Sequence, residues 1–255
     1  MILQSIIDII ESVAPTKWAE NWDNSGLQVG DSRADIKAAL LTTDVTETVV
    51  NEAIELGCNL IISHHPLLFN PLHSVTGKSN SERCLAACIK HDIAVYSAHT
   101  TIDKYVHGVS GRMAQKMGIK DYGLLAPDDK EYGLGVVGDL PAAMSPKAFM
   151  SRLKEVFGAK WLRYTASPKP YVKRIAFCGG SGADLTYAAV QCNADAYVTA
   201  DCRYHQFQQY SDQIMMVDMD HWVSEHFTRD IFSELLEGKV KTYISQADYS
   251  PINIY

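Results

Sequence analysis

Two hydrophobic periods exchange regularly along this chain, and that exchange limits its fold more than any other feature. Apolar residues three and four apart, as in Ile2, Leu3, Ile6, Ile7, Ile10 and Val13, alternate with short continuous runs such as Cys58-Asn-Leu-Ile-Ile-Ser63 and Ile93-Ala-Val-Tyr-Ser-Ala98. The first period suits one face of a helix and the second a strand buried on both sides, so the chain reads as α/β. Strands are expected at 38–45, 58–63, 93–98, 133–139, about 161–165, 173–178, 195–200, 214–218 and 241–244, the last at a sheet edge. Helices are expected over 1–13, 46–57, 82–90 with Asn80 or Ser81 as cap, 108–118, 146–157 opened by Ser145-Pro146, 183–192, 203–210, and in one long piece over 222–237. The polar, turn-rich stretch Ala126-Pro-Asp-Asp-Lys-Glu131 marks a lobe boundary. It gives a first lobe of residues 1–126 with about 214–255, carrying most of the candidate metal ligands, and a second lobe of about 127–213.

Composition narrows the class. The chain has 255 residues, 47 % of them hydrophobic, enough for a real core. Its 23 basic and 30 acidic residues leave a net charge of −7, which argues against a surface coated in phosphate-binding charge. No stretch approaches the roughly 20 apolar residues of a membrane span. The opening segment lacks a basic leader and carries Asp8 and Glu11 within its apolar run, so a cytoplasmic location is expected. The six cysteines (58, 84, 88, 178, 192 and 202) contain no C-x-x-C pair and lie in apolar runs, so they read as free core thiols.

Polar residues with metal-ligand chemistry follow directly on four of the apolar runs: His64-His65, His99, Asp201, and Asp218 with Asp220 and His221. In open α/β sheets, ligands bind just outside the carboxyl ends of the strands. His99 and Asp103 are four apart, as are His221 and Glu225, which places each pair on one face of a helical turn. Adjacent His64 and His65 point in different directions in an extended segment, which suits two neighbouring ions better than one. The set His64, His65, Asp103, His221 and Glu225 is imidazole and carboxylate without thiolate. Such a set suits Zn, Fe, Mn, Co or Ni, and two-metal hydrolytic sites hold ions about 3.5–4 Å apart. His99 reads either as a ligand or as a group orienting one. His73, His91, His107 and His226 read as core or capping histidines.

Three other stretches have plainer readings. Asp23-Asn-Ser-Gly26 reads from its residues as a turn, with a substrate-facing loop as the other reading. Gly179-Gly-Ser-Gly182 lies between a strand and a helix and reads as a tight turn, although it is also the first candidate for holding the phosphates of a nucleotide. Residues 146–174 carry eight basic residues and one acidic, Glu155, interleaved with aromatics. They fit an amphipathic helix and a strand pair with aromatics inward better than a nucleic-acid surface.

Trp22-Asp-Asn-Ser-Gly-Leu-Gln-Val-Gly30, Ile62-Ser-His-His-Pro-Leu67, His99-Thr-Thr-Ile-Asp103, Cys178-Gly-Gly-Ser-Gly182, Asp195-Ala-Tyr-Val-Thr199 and His221-Trp-Val-Ser-Glu225 follow one another in order. Together they resemble the motifs of the Nif-three-like dinuclear metal-centre family, whose members are called GTP cyclohydrolase 1 type 2 homologues. The length is similar to members without an inserted middle domain. The resemblance implies two interleaved α/β lobes with a dinuclear metal site in the cleft between them, two divalent ions per subunit, and a toroidal homohexamer. It places the metal ligands on His64, His65, Asp103, His221 and Glu225. Two positions depart from the pattern: Ala200-Asp201 stands where Gly-Glu is usual, and Asp220 where Gly is usual, while His205 is kept.

The function expected is a metal-dependent hydrolase acting on a nucleotide or related heterocycle. By resemblance, one candidate reaction is imidazole-ring opening of GTP with release of formate. His99, His205 and Asp201 are the candidate proton carriers. The alternative is a non-catalytic toroidal metal-binding scaffold for a protein or DNA partner.

Overall fold

A computed structural model describes residues 1–255. Along the chain come α1 (Leu3–Glu11), β1 (Gly26–Val29), β2 (Ala38–Thr42), α2 (Glu47–Glu55), β3 (Leu60–Ser63), α3 (Asn80–Lys90), β4 (Ala94–Ser97) and α4 (Thr100–Lys104). There follow α5 (Val109–Lys116), β5 (Tyr122–Pro127), β6 (Gly133–Met144), α6 (Pro146–Phe157), β7 (Leu162–Tyr164), β8 (Val172–Phe177) and α7 (Thr186–Gln191). The chain ends with β9 (Ala196–Thr199), α8 (Tyr204–Gln209), β10 (Met215–Met219), α9 (His221–Glu225), α10 (Thr228–Leu235) and β11 (Lys241–Ile244). The fold is mixed α/β in two units, each drawn from two chain segments: Met1–Ile102 with His226–Tyr249, and Asp103–Glu225 with Ser250–Tyr255.

The first unit holds a five-stranded sheet in the order β1-β4-β3-β2-β11. β11, β2, β3 and β4 run parallel, and β1 joins the edge antiparallel to β4. β2, β3 and β4 are buried at every position, as parallel strands covered on both faces must be. Leu40, Ile61 and Val95 share a core with Val49, Val50 and Ala53 of α2 and with Cys84 and Cys88 of α3. Helix α10 packs on β2 and β11. Ser79, not Asn80 or Ser81, caps α3 by accepting from the Glu82 amide, while the Asn80 side chain reaches the Val45 carbonyl.

The second unit holds a six-stranded sheet in the order β5-β6-β8-β9-β10-β7. β8, β9 and β10 are parallel, and the remaining pairings are antiparallel. Ser145 caps α6 and Pro146 occupies its first turn, as expected. That helix buries Phe149, Leu153 and Phe157. Tyr164 and Tyr171, expected inward, are instead exposed. Several charges of the basic stretch are committed within the unit, Arg163 to Asp218, Lys169 to Asp195 and Arg174 to Asp139.

Some boundaries differ from those expected. The stretch 126–131 lies in the β5–β6 hairpin, where the Asp128 amide bonds to the Tyr132 carbonyl. The units divide instead at Ile102/Asp103 and Glu225/His226, so His64, His65 and His99 fall in the first and Asp103, His221 and Glu225 in the second. The helix expected over 222–237 is broken into α9 and α10, because the chain passes from one unit to the other between them. The cysteines are unpaired, and five of the six are buried. Burial pushes the thiols of Cys58 and Cys84 up to about 11 and those of Cys88 and Cys202 to about 12, so they behave as apolar packing.

Candidate metal centre

In the first unit the donors meet because their strands are parallel. β2, β3 and β4 end at one edge, and Asp44, His64-His65 and His99 are the residues that follow them. The β2–β3 ladder continues past the strand ends, with the His64 amide bonded to the Thr42 carbonyl and the His65 amide to Thr43. Ser63 Oγ donates to the His65 carbonyl at 2.8 Å and lies 2.7 Å from Ser97 Oγ, fixing the backbone between the two imidazoles. One ligand atom from each of His64, His65 and His99 lies within 4.8 Å of the others. His64 is fully buried.

Two carboxylates aim these rings. Asp44 Oδ1 is 2.8 Å from His65 Nδ1, and Asp23 Oδ1 is 2.8 Å from His99 Nδ1. A carboxylate on Nδ1 selects the tautomer protonated there and makes Nε2 the lone-pair nitrogen, the form that ligates a metal. Strand β1 delivers Asp23: it pairs antiparallel with β4 in the register Gly26↔Ser97, which brings the preceding turn beside His99. The Asp23 side chain has no solvent exposure. Burial works against its charge, but hydrogen bonds from His99, Thr100 and Ser25 outweigh it and hold the carboxyl well below the usual range.

In the second unit, the parallel strands β8, β9 and β10 deliver Gly179-Gly180, Asp201 and His221 to one edge. Helix α9 places His221 Nε2 2.9 Å from Glu225 Oε2, the (i, i+4) pairing read from the spacing. Asp201 Oδ2 lies 2.7 Å from His221 Nδ1. Burial disfavours a charged imidazole, yet the two carboxylates push His221 up to about 11. This is a pocket of negative charge that favours a cation. Asp103, on α4, is the second unit's other carboxylate among the donors.

Of the two positions noted as departures in the sequence, Asp201 acts on His221 and Asp220 on the start of helix α9. Asp201 adopts a left-handed backbone conformation, φ 56°, which Asp tolerates better than most residues, and from there reaches the ring. Asp220 caps α9 by accepting from the Val223 amide at 3.1 Å and accepts from Ser250 Oγ at 2.8 Å.

The glycine loop is a turn that shapes the site, and its three glycine amides are already bonded within the protein. Gly179 N donates to Ser110 Oγ, Gly180 N to Ser224 Oγ and Gly182 N to Thr199 Oγ1. A β-carbon at Gly180 would stand 2.0 Å from Glu225 Oε1 and one at Gly179 2.3 Å from Val109 Cγ1, so these glycines make room for the carboxylate of α9 and for the start of α5.

The other sequence candidates have other partners. His205 is exposed on α8, with Nδ1 3.4 Å from Gln208 Oε1. Asp218 is buried against Arg163. His91 caps the end of α3, and His107 bonds the Tyr122 hydroxyl. Asp44 is not among the sequence candidates, although the rule that singles out the other strand-end residues applies to it equally.

The donor chemistry therefore fits a metal: imidazoles held through Nδ1 by carboxylates in both units, and buried carboxylate beside them. Residues 1–251 match the family model described as Duf34/NIF3 (NGG1p interacting factor 3). A Clostridium perfringens protein named GTP cyclohydrolase 1 type 2 homolog is 36 % identical over 88 % of this chain and 87 % of its own. A Drosophila melanogaster protein named NIF3-like protein 1 is 31 % identical over 98 % of this chain and 88 % of its own. A solved structure of a Staphylococcus aureus protein is 26 % identical with a TM-score of 0.89, covering 100 % of this chain and 99 % of its own. A Bacillus cereus protein related to NIF3, 24 % identical, shares the fold with a TM-score of 0.91 over 99 % of both chains.

Proposed function

Since the chain belongs to the Duf34/NIF3 family, we propose that it is a metal-dependent hydrolase in which His64, His65, Asp103, His221 and Glu225 together hold two divalent ions. The observation that carries this reading is the repeated carboxylate–imidazole pair, Asp44–His65, Asp23–His99 and Asp201–His221, each at 2.7–2.8 Å. A purely structural histidine needs no such partner, whereas a ligating one is aimed and made more basic by it. Divalent ions bound by these donors would supply Lewis-acid charge and lower the pKa of water.

The chain's own residues do the rest. Asp44 and Asp201 orient His65 and His221, which gives Asp201 a positioning role in place of proton transfer. Asp23 holds the proton on His99 Nδ1, so His99 Nε2 can accept a proton from the attacking water and return it to the leaving nitrogen. The names of the curated relatives point to a nucleotide-related small molecule. For GTP, one water would add at C8 and open the imidazole ring, and a second would release that carbon as formate. The zinc, iron, manganese, cobalt or nickel form, a homohexameric ring and a cytoplasmic setting belong to the same reading; no helix is long and apolar enough to cross a membrane.

Formate release from GTP and a panel of nucleotides and cyclic amides, measured on metal-loaded protein, tests the reading. Turnover that disappears in His64→Ala and Glu225→Ala supports it, and no turnover of any compound by the loaded wild type contradicts it.

A further inference from the structure

Two aromatic side chains stand in solvent beside His99. Trp22 is 60 % exposed and Phe69 45 % exposed. Their ring centroids are 6.0 Å apart at an interplanar angle of 59°. His99 meets each ring near the perpendicular, its centroid 5.8 Å from Trp22 and 6.1 Å from Phe69. Large apolar groups left in water next to buried, charged machinery call for an occupant.

The segments that bear the two rings are tied together. Asn24 Nδ2 donates to the Leu68 carbonyl at 2.7 Å and to Gln28 Oε1 at 3.2 Å. Gln28 Oε1 also accepts from the Leu68 amide at 3.2 Å, and Gln28 Nε2 donates to the Asn24 carbonyl at 2.6 Å. Both polar groups of the Leu68 backbone are thereby tied to the turn that bears Trp22. The loop that bears Phe69 cannot part from it without breaking those bonds. Asp23, between Trp22 and Asn24, bonds His99. One short segment therefore places an aromatic ring, a histidine-orienting carboxylate and a loop clamp side by side.

We propose that Trp22 and Phe69 form a stacking platform for the planar heterocycle of the substrate, presenting the ring to His99. The proposal rests on the hydrolase reading above and narrows it to substrates with a flat aromatic ring, excluding aliphatic amides and peptides. Size favours a small ring over a protein. At these exposures the two side chains offer about 200 Å², against about 800 Å² per partner in a stable protein interface. Stacking tolerates different bases because each has a π-face, so the platform selects for a ring and leaves the choice among rings to polar contacts.

Calorimetric titration with guanosine, GTP and ribose 5-phosphate, run with and without added zinc, tests this on wild type, Trp22→Leu, Phe69→Leu and Trp22→Phe. Guanosine and GTP should bind wild type and ribose 5-phosphate much more weakly. Each leucine variant should weaken the two ring-bearing probes at least about fivefold, the low end for one lost stacking partner. Trp22→Phe should restore binding to within about threefold. Circular dichroism and sedimentation identify misfolded or dissociated variants. The platform is overturned if wild type binds neither guanosine nor GTP, if the leucine variants bind them unchanged, or if those variants alter only the oligomeric state. The hydrolase reading fails separately, as tight ring binding without turnover. Turnover indifferent to Trp22→Leu would sink the platform alone.

Discussion

A β-carbon at Gly180 would stand 2.0 Å from Glu225 Oε1 and 3.0 Å from Glu225 Cδ. Glycine here serves the neighbouring carboxylate as well as the backbone, whose φ is +63°. Gly180→Ala should displace Glu225 and lower retained metal at least about tenfold after dialysis, with a further cost of about 1–2 kcal/mol from the left-handed conformation. Gly238 has a similar φ, +68°, and a β-carbon there would meet nothing within 4 Å, so Gly238→Ala should show the backbone cost with metal content intact. Elemental analysis and thermal unfolding of both variants separate the two effects.

The carboxylates behind the histidines should matter nearly as much as the ligands. Asp44→Asn and Asp201→Asn keep the shape of each side chain but remove the charge from His65 Nδ1 and His221 Nδ1. Each should weaken zinc binding by about 10–100-fold, measured by competition with a chromophoric chelator. Wild-type affinity in both would reduce these pairs to surface ion pairs.

Asp220 is read as a cap, so its removal should register as stability. Asp220→Ala loses the bond to the Val223 amide and the one from Ser250, and should cost about 1 kcal/mol in urea unfolding. Asp220→Gly should cost only a few tenths of that.

Acid should unmask Asp195. Burial opposes its charge, but Lys169 Nζ at 2.5 Å and the amides of Lys173 and Arg174, each at 2.9 Å, hold its carboxyl below the usual range. The folded value is lower than the unfolded one of about 3.9, so its stabilisation is complete above about pH 5 and is lost as pH falls through the folded value. Asp195→Asn should therefore cost about 1–3 kcal/mol at neutral pH, and the difference from wild type should close in acid. A difference constant with pH would contradict this.

What can be read from sequence follows physical range. Strand-end donors such as His64 and His221 are legible because an apolar run stops where they begin, a local signal. His221 and Glu225 need only the helical repeat. Asp23 and His99, by contrast, are 76 residues apart in sequence, and only the antiparallel pairing of β1 with β4 joins them. No local signal marks β1, which is four residues long and follows a segment, Asp23-Asn-Ser-Gly26, that reads as a turn. The glycine loop suggests a phosphate cradle, but Ser110, Ser224 and Thr199 occupy its amides, contacts from residues 17 to 69 positions away. The stretch 126–131 lies in a hairpin, and a hairpin turn has the same composition as a linker.

The central proposal is that His64, His65, Asp103, His221 and Glu225 are the ligands of one pair of ions. Anomalous diffraction from crystals loaded with zinc tests it most directly. The account predicts two peaks per subunit about 3.5–4 Å apart, with His64, His65, Asp103, His221 and Glu225 at about 2.0–2.2 Å from one or the other. A single peak, or peaks ligated by residues outside this set, would contradict it.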